Sequence, residues 1–150
     1  MRTCCFFGHA EMFMCSLSSL KNCIENEIKN GFTRFMVGDH GRFDFEVKNL
    51  LVGLKREYKN IELVWVLTSV NKYVELEKER RNYRSYDYLI YDIENMFYKK
   101  IISYTNKKMV DESELIISYV DENNPMSGAC KVLKYARKKK KLIINLYNVY

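Results

Sequence analysis

Apolar positions along this chain follow two spacings in turn. Short, nearly continuous apolar runs of the kind found in strands covered on both faces alternate with longer stretches whose apolar residues recur at i, i+3 and i+4. The runs at 2–7, 33–37, 61–67, 86–91, 115–120 and 142–147 predict strands. Between the first two, Leu17, Leu20, Cys23, Ile24 and Ile28 mark one helix face, capped by Ser16 or Ser18 and stopped at Asn30-Gly31. Phe43, Val47, Leu50, Leu51 and Leu54 mark a second. Residues 94–110 predict a third, with Met96, Phe97, Ile101, Ile102 and Tyr104 apolar. Ala129, Val132, Leu133 and Ala136 mark a last helix ending near Arg137. The segment 68–85 is polar and charged and predicts a loop with a short solvated helix. Strand and helix alternate throughout, which implies an α/β fold, doubly wound, with a mainly parallel sheet and helices on both faces. No repeat, linker or break in composition divides the chain, so 1–150 is expected to form one domain.

Two strand-to-helix loops carry residues suited to a phosphate. The first follows Phe35-Met36-Val37 and runs Gly38-Asp39-His40-Gly41-Arg42 into Phe43-Asp44. The second follows 115–120 and runs Pro125-Met126-Ser127-Gly128-Ala129. A parallel strand that delivers the chain to a helix N-terminus points backbone N–H groups and the helix dipole at an anion. Two such loops at the carboxyl ends of strands in one sheet imply a pocket between them. Turning the chain is the plainer role for either loop taken alone.

Net charge is +6, which favours an anionic partner without naming one. Much of the excess lies in Arg137-Lys138-Lys139-Lys140-Lys141. There it suits a solvated helix C-terminus, and the run lacks the interleaved aromatics of a nucleic-acid surface. The five cysteines are odd in number, Cys4 and Cys5 are adjacent, and no CxxC pair occurs. Neither a disulfide framework nor a zinc site is expected, and a reducing cytoplasm fits best. A metal site from His9, His40 and Cys15 would need separate loops to converge at a spacing that matches no zinc pattern. The N-terminus makes a poor signal peptide, and no apolar segment reaches the roughly 18 residues of a membrane span.

Several short motifs, in order, resemble the SLOG superfamily, the Rossmann-like group named after the Smf/DprA and Lonely Guy proteins, and above all its short single-domain bacterial members of the YpsA-like type. They are Cys4-Cys5-Phe6-Phe7-Gly8-His9, Gly31 to Phe35, the loop Gly38 to Asp44, Asn106 to Ser113, and Ser127-Gly128-Ala129 with Tyr135-Ala136. The resemblance implies a ligand site from Gly8, His9, Gly38, Asp39, Arg42, Asp44, Asn106, Ser127, Gly128 and Ala129. Within it Asp44 would bond a ribose hydroxyl; a favourable charge at a helix N-terminus is its simpler role. His9 is equally readable as a turn residue bonded to local backbone. Asp111 could cap a helix turn or orient Asn106. Departures fall in the presumed pocket. Asp39 and Arg42 replace glycines, and Ala10 and Thr105 replace arginines. Asp39 would repel a phosphate, while Arg42 could attract one from another direction.

Lonely Guy-type enzymes cleave an N-glycosidic bond with a glutamate downstream of the glycine-rich loop. Here Lys131 and Val132 occupy that neighbourhood, and an oxocarbenium-like transition state needs a carboxylate. The expectation is therefore a non-catalytic module that binds or senses a nucleotide-derived or other phosphorylated small molecule. It needs no cofactor, metal, membrane or nucleic acid, and assembly into a homo-oligomer is left open. A nucleotide-processing hydrolase with a degenerate motif is the alternative, and a DNA-binding protein the second alternative.

Overall fold

The computed structural model describes residues 2–9, 16–69 and 84–149. Its strands are β1 (Arg2–Gly8), β2 (Phe32–Val37), β3 (Glu62–Leu67), β4 (Tyr86–Ile90), β5 (Leu115–Tyr119) and β6 (Leu142–Asn145). Its helices are α1 (Leu17–Lys29), α2 (Arg42–Glu57), α3 (Tyr98–Asp111) and α4 (Gly128–Lys138), with a 3-10 turn over Leu146–Val149. The expected short helix within 68–85 falls mostly on residues outside those described.

All pairings are parallel, and the strand order is β4-β3-β2-β1-β5-β6. The chain winds outward from β1 to β4, returns across the sheet through α3, then winds the other way through α4. The order thus reverses between β1 and β5, where Gly8 pairs with Tyr119. A crevice opens at such a reversal, at the carboxyl ends of the strands.

The doubly apolar strands divide their side chains between two cores. Cys4, Phe6, Phe35, Trp65 and Ile117 face one side with Leu20 and Ile24 of α1 and Val47, Leu51 and Leu54 of α2. Cys5, Phe7, Met36, Val64 and Ile116 face the other with Met109 and Val110 of α3 and Val132, Leu133 and Ala136 of α4. This is the doubly wound arrangement that the alternating spacings imply. Burial raises the Cys4 thiol above its ordinary pKa and pushes Cys5 up to about 12, so both serve as small apolar side chains. No helix among the described residues is long and apolar enough to cross a membrane.

Two boundaries differ from the sequence expectation by more than one residue. The third helix begins at Tyr98 rather than 94, because Asn95 takes a left-handed backbone angle (φ 64°) that a helix cannot pass through. The last strand ends at Asn145 rather than 147. The Asn145 side chain accepts from Val120 N–H at 3.0 Å and donates to its carbonyl at 2.9 Å, extending the pairing sideways while the backbone turns away.

Candidate functional site

The site starts with the loop that leaves β2. Gly41 precedes α2 at φ 100°, an angle that favours glycine, and offers the helix no side-chain cap. Asp44, in the first turn, reaches back instead: its Oδ2 accepts the His40 N–H at 2.9 Å. The carboxyl is only 7% exposed, and burial pushes its pKa from 3.8 up to about 7. The His40 N–H bond and the Lys48 ammonium oppose that rise, while Asp39 adds to it. Burial also lowers the His40 imidazole, with Lys48 acting in the same direction and Asp39 against. A Cβ at position 38 would lie 3.2 Å from Asp44 Oδ2, so Gly38 makes room for the carboxyl.

Lys48 is the residue that sequence reasoning missed. It is buried on α2, its Nζ 2.8 Å from Asp39 Oδ1 and 3.8 Å from the centre of the Trp65 ring. The signal lay in the spacing: Lys48 falls four residues after Asp44 and three before Leu51, inside the apolar stripe. Its ammonium offsets the Asp39 charge, which would otherwise repel an anion at this loop.

The three glycines Gly8, Gly38 and Gly128 meet around one cavity of about 160 Å³, together with His40, Asp44, Asn106 and Ala129. Phe6, Phe7, Ile102 and Val132 supply its apolar wall. The loops after β1, β2 and β5 therefore converge at the carboxyl edge of the sheet, as the strand-order reversal requires. Their glycines do different work. A Cβ at Gly8 would fall 2.3 Å from Cγ of Phe43, so that glycine is demanded by helix packing. A Cβ at Gly128 would meet nothing within 4 Å. The N–H groups of Gly128 and Ala129 stand in the first turn of α4, where no intrahelical acceptor reaches them.

Four of the sequence-predicted residues do not line the cavity. Arg42 leaves it for solvent, its side chain 65% exposed and its Nε 2.9 Å from Glu46. Asp39 turns to Lys48. Ser127 spends its hydroxyl on the helix, accepting the Cys130 N–H at 3.1 Å. His9 Nε2 accepts the Asp121 N–H at 2.6 Å, and the His9 N–H donates to the Tyr119 carbonyl at 3.1 Å. This histidine ties the end of β1 to the loop after β5, a long-range backbone bond rather than the local one or the ligand contact that the sequence offered. Asp111 holds the Tyr135 hydroxyl at 2.7 Å. Thr105, beside Asn106, is buried with no hydrogen-bond partner for its Oγ1 among the described residues. Ala10 and Cys15 lie outside the described residues. Among those described, no group of three or more His, Cys, Asp or Glu could hold a metal ion.

Chemically, the cavity offers an apolar wall, one carboxyl that titrates near neutrality, an amide that donates and accepts, and a helix N-terminus. Comparison with protein-family models finds no match for this chain, and a search of curated proteins finds none either.

Proposed function

We propose that this protein binds a phosphorylated small molecule of the nucleotide class at the carboxyl edge of its sheet, as a binding or sensing module. The observation that carries this reading is the convergence of three strand-to-helix loops on one cavity beside the N-terminus of α4. In this reading the phosphate sits against the N–H groups of Gly128 and Ala129. A sugar hydroxyl bonds Asp44, and Asn106 orients the ligand. The apolar wall of Phe6, Phe7, Ile102 and Val132 excludes water. The resemblance to the SLOG superfamily favours a nucleotide over other phosphorylated molecules.

A second reading, hydrolysis of a nucleotide, is favoured by the pKa of Asp44. A carboxyl near 7 suits a general acid or base at neutral pH. Among the described residues it is the sole carboxyl on the cavity wall, however, and it lies on α2 rather than after the Gly128 loop.

Thermal unfolding with adenosine monophosphate, adenosine and inorganic phosphate tests the binding reading, because a ligand of the native state raises its stability. Adenosine monophosphate should raise the midpoint more than either part. Equal midpoints with and without it remove the proposal. Release of free adenine in the same mixtures, beyond one equivalent and surviving repurification, would replace the module by the hydrolase.

A further inference from the structure

A second space adjoins the first and is built from different chemistry. It lies between α3 and α4, has a volume of about 380 Å³, and shares Ile102, Asn106, Gly128 and Val132 with the first cavity. The two therefore adjoin across Asn106 and the start of α4. Three lysines line the second: Lys99 and Lys107 from α3, Lys131 from α4.

Lys99, Ser103 and Lys107 follow one another at i, i+4 and i+8 and share one face of α3. Lys99 and Lys107 stand about 12 Å apart along the helix axis. Lys131 approaches from the first turn of the neighbouring helix, where a cation sits on the wrong end of the dipole. Among the described residues no carboxylate lines this space, and none of the three lysines forms an ion pair. Tyr135, fixed by its hydroxyl bond to Asp111, closes the wall, with Lys107 Nζ 5.6 Å from its ring centre. A groove lined by three cations attracts a polyanion.

We propose that this groove takes the second phosphate of a ligand that carries a diphosphate. The inference rests on the nucleotide reading above and narrows it. The first phosphate lies at Gly128 and Ala129, and the chain continues past Asn106 so that the second lies among Lys99, Lys107 and Lys131. A monophosphate would fill the first cavity and leave these lysines in water.

Titration calorimetry at about 0.15 M salt with adenosine monophosphate, adenosine diphosphate and inorganic pyrophosphate tests the inference. The diphosphate should bind at least about tenfold more tightly than the monophosphate, as bonds to charged groups of this strength imply. In Lys99→Gln/Lys107→Gln the ratio of the two affinities should fall to near one. In Lys138→Gln/Lys140→Gln, which changes charge equally at the far end of α4, the ratio should stay. Equal binding of the two nucleotides by the native protein overturns the inference and leaves the nucleotide reading standing. So does a ratio that survives in Lys99→Gln/Lys107→Gln. Pyrophosphate binding as tightly as the diphosphate nucleotide overturns it too, since the groove would then be an independent polyanion site. Binding of neither nucleotide overturns both.

Discussion

The ring of Phe43 occupies the space that a side chain at position 8 would need: a Cβ there would lie 2.3 Å from Cγ, 2.5 Å from Cδ2 and 2.7 Å from Cβ of Phe43. Phe43 is fully buried at the start of α2, so β1 and α2 approach each other here as closely as a glycine permits. Gly8→Ala should therefore cost stability, about 1–3 kcal/mol as for other overpacked cores. Urea unfolding of the variant measures it, and adding Phe43→Leu should return part of the loss. An unchanged midpoint would mean that the strand and helix separate freely.

Gly128→Ala should behave in the opposite way. Its Cβ would meet nothing, and alanine is the better helix former, so folding should be unchanged or improved by up to about 1 kcal/mol. The added methyl narrows the cavity at the α4 N-terminus and should weaken adenosine monophosphate by about tenfold, near 1.4 kcal/mol. Thermal unfolding and calorimetry on the same sample separate the two effects.

Asp44 makes stability depend on pH with a definite sign. Its folded pKa, about 7, lies above the ordinary 3.8. Its contribution is therefore complete below pH 3.8, declines as pH rises, and is gone above about 7. The span corresponds to about 4 kcal/mol. Asp44→Asn, which can still accept the His40 N–H, should unfold later than the native protein at pH 8. The difference should shrink steadily toward pH 4. Parallel midpoints across that range would place the carboxyl in water.

Lys48→Met should alter the emission of Trp65, the one tryptophan of the chain, because the ammonium stands 3.8 Å above its ring. The substitution also removes the Lys48–Asp39 ion pair and a charge that lowers the Asp44 pKa. It should cost about 1–3 kcal/mol at neutral pH and push the Asp44 titration higher. Fluorescence-monitored unfolding at two pH values reads both.

The triple change Lys138→Gln/Lys139→Gln/Lys140→Gln should leave adenosine monophosphate binding intact. α4 spans 11 residues, about 16 Å, which exceeds the roughly 8 Å screening length at physiological salt. Arg42→Gln should be equally silent, since Arg42 faces Glu46 and solvent. This revises the role that the sequence suggested for Arg42. A loss of binding in either variant would move the site.

The alternating spacings carried the strands, the helices and their division between two faces, because burial on both sides of a parallel strand leaves a plain apolar run. The convergence of Gly8, Gly38 and Gly128 was legible too, since it follows from the carboxyl-edge rule for such sheets. What each glycine accommodates was not, because Phe43 and Gly8 are distant in sequence. Lys48 was hidden by its own chemistry: a charged residue reads as solvent-facing until its partner, Asp39, and the Trp65 ring are seen across the loop. The lysines of the second groove come from helices on either side of β5, and only the return crossover through α3 sets them side by side.

The position of β1 in the sheet has a consequence for how the chain folds. β1 pairs with β2 on one edge and with β5 on the other, and Cys4 finds its β5 neighbour at Leu115. During synthesis the first edge can be covered as soon as residue 37 is free. The second stays open until residues 115–119 have been made, exposing Phe6 and Phe7 on a strand that ends as the centre of the sheet. Folding on the ribosome should thus pass through a half-sheet with one sticky edge, slow to close and prone to pair with a neighbour. The segment that protects it, 115–119, is also the one that delivers the chain to the Gly128 loop, so the sheet is sealed and the cavity completed in the same event.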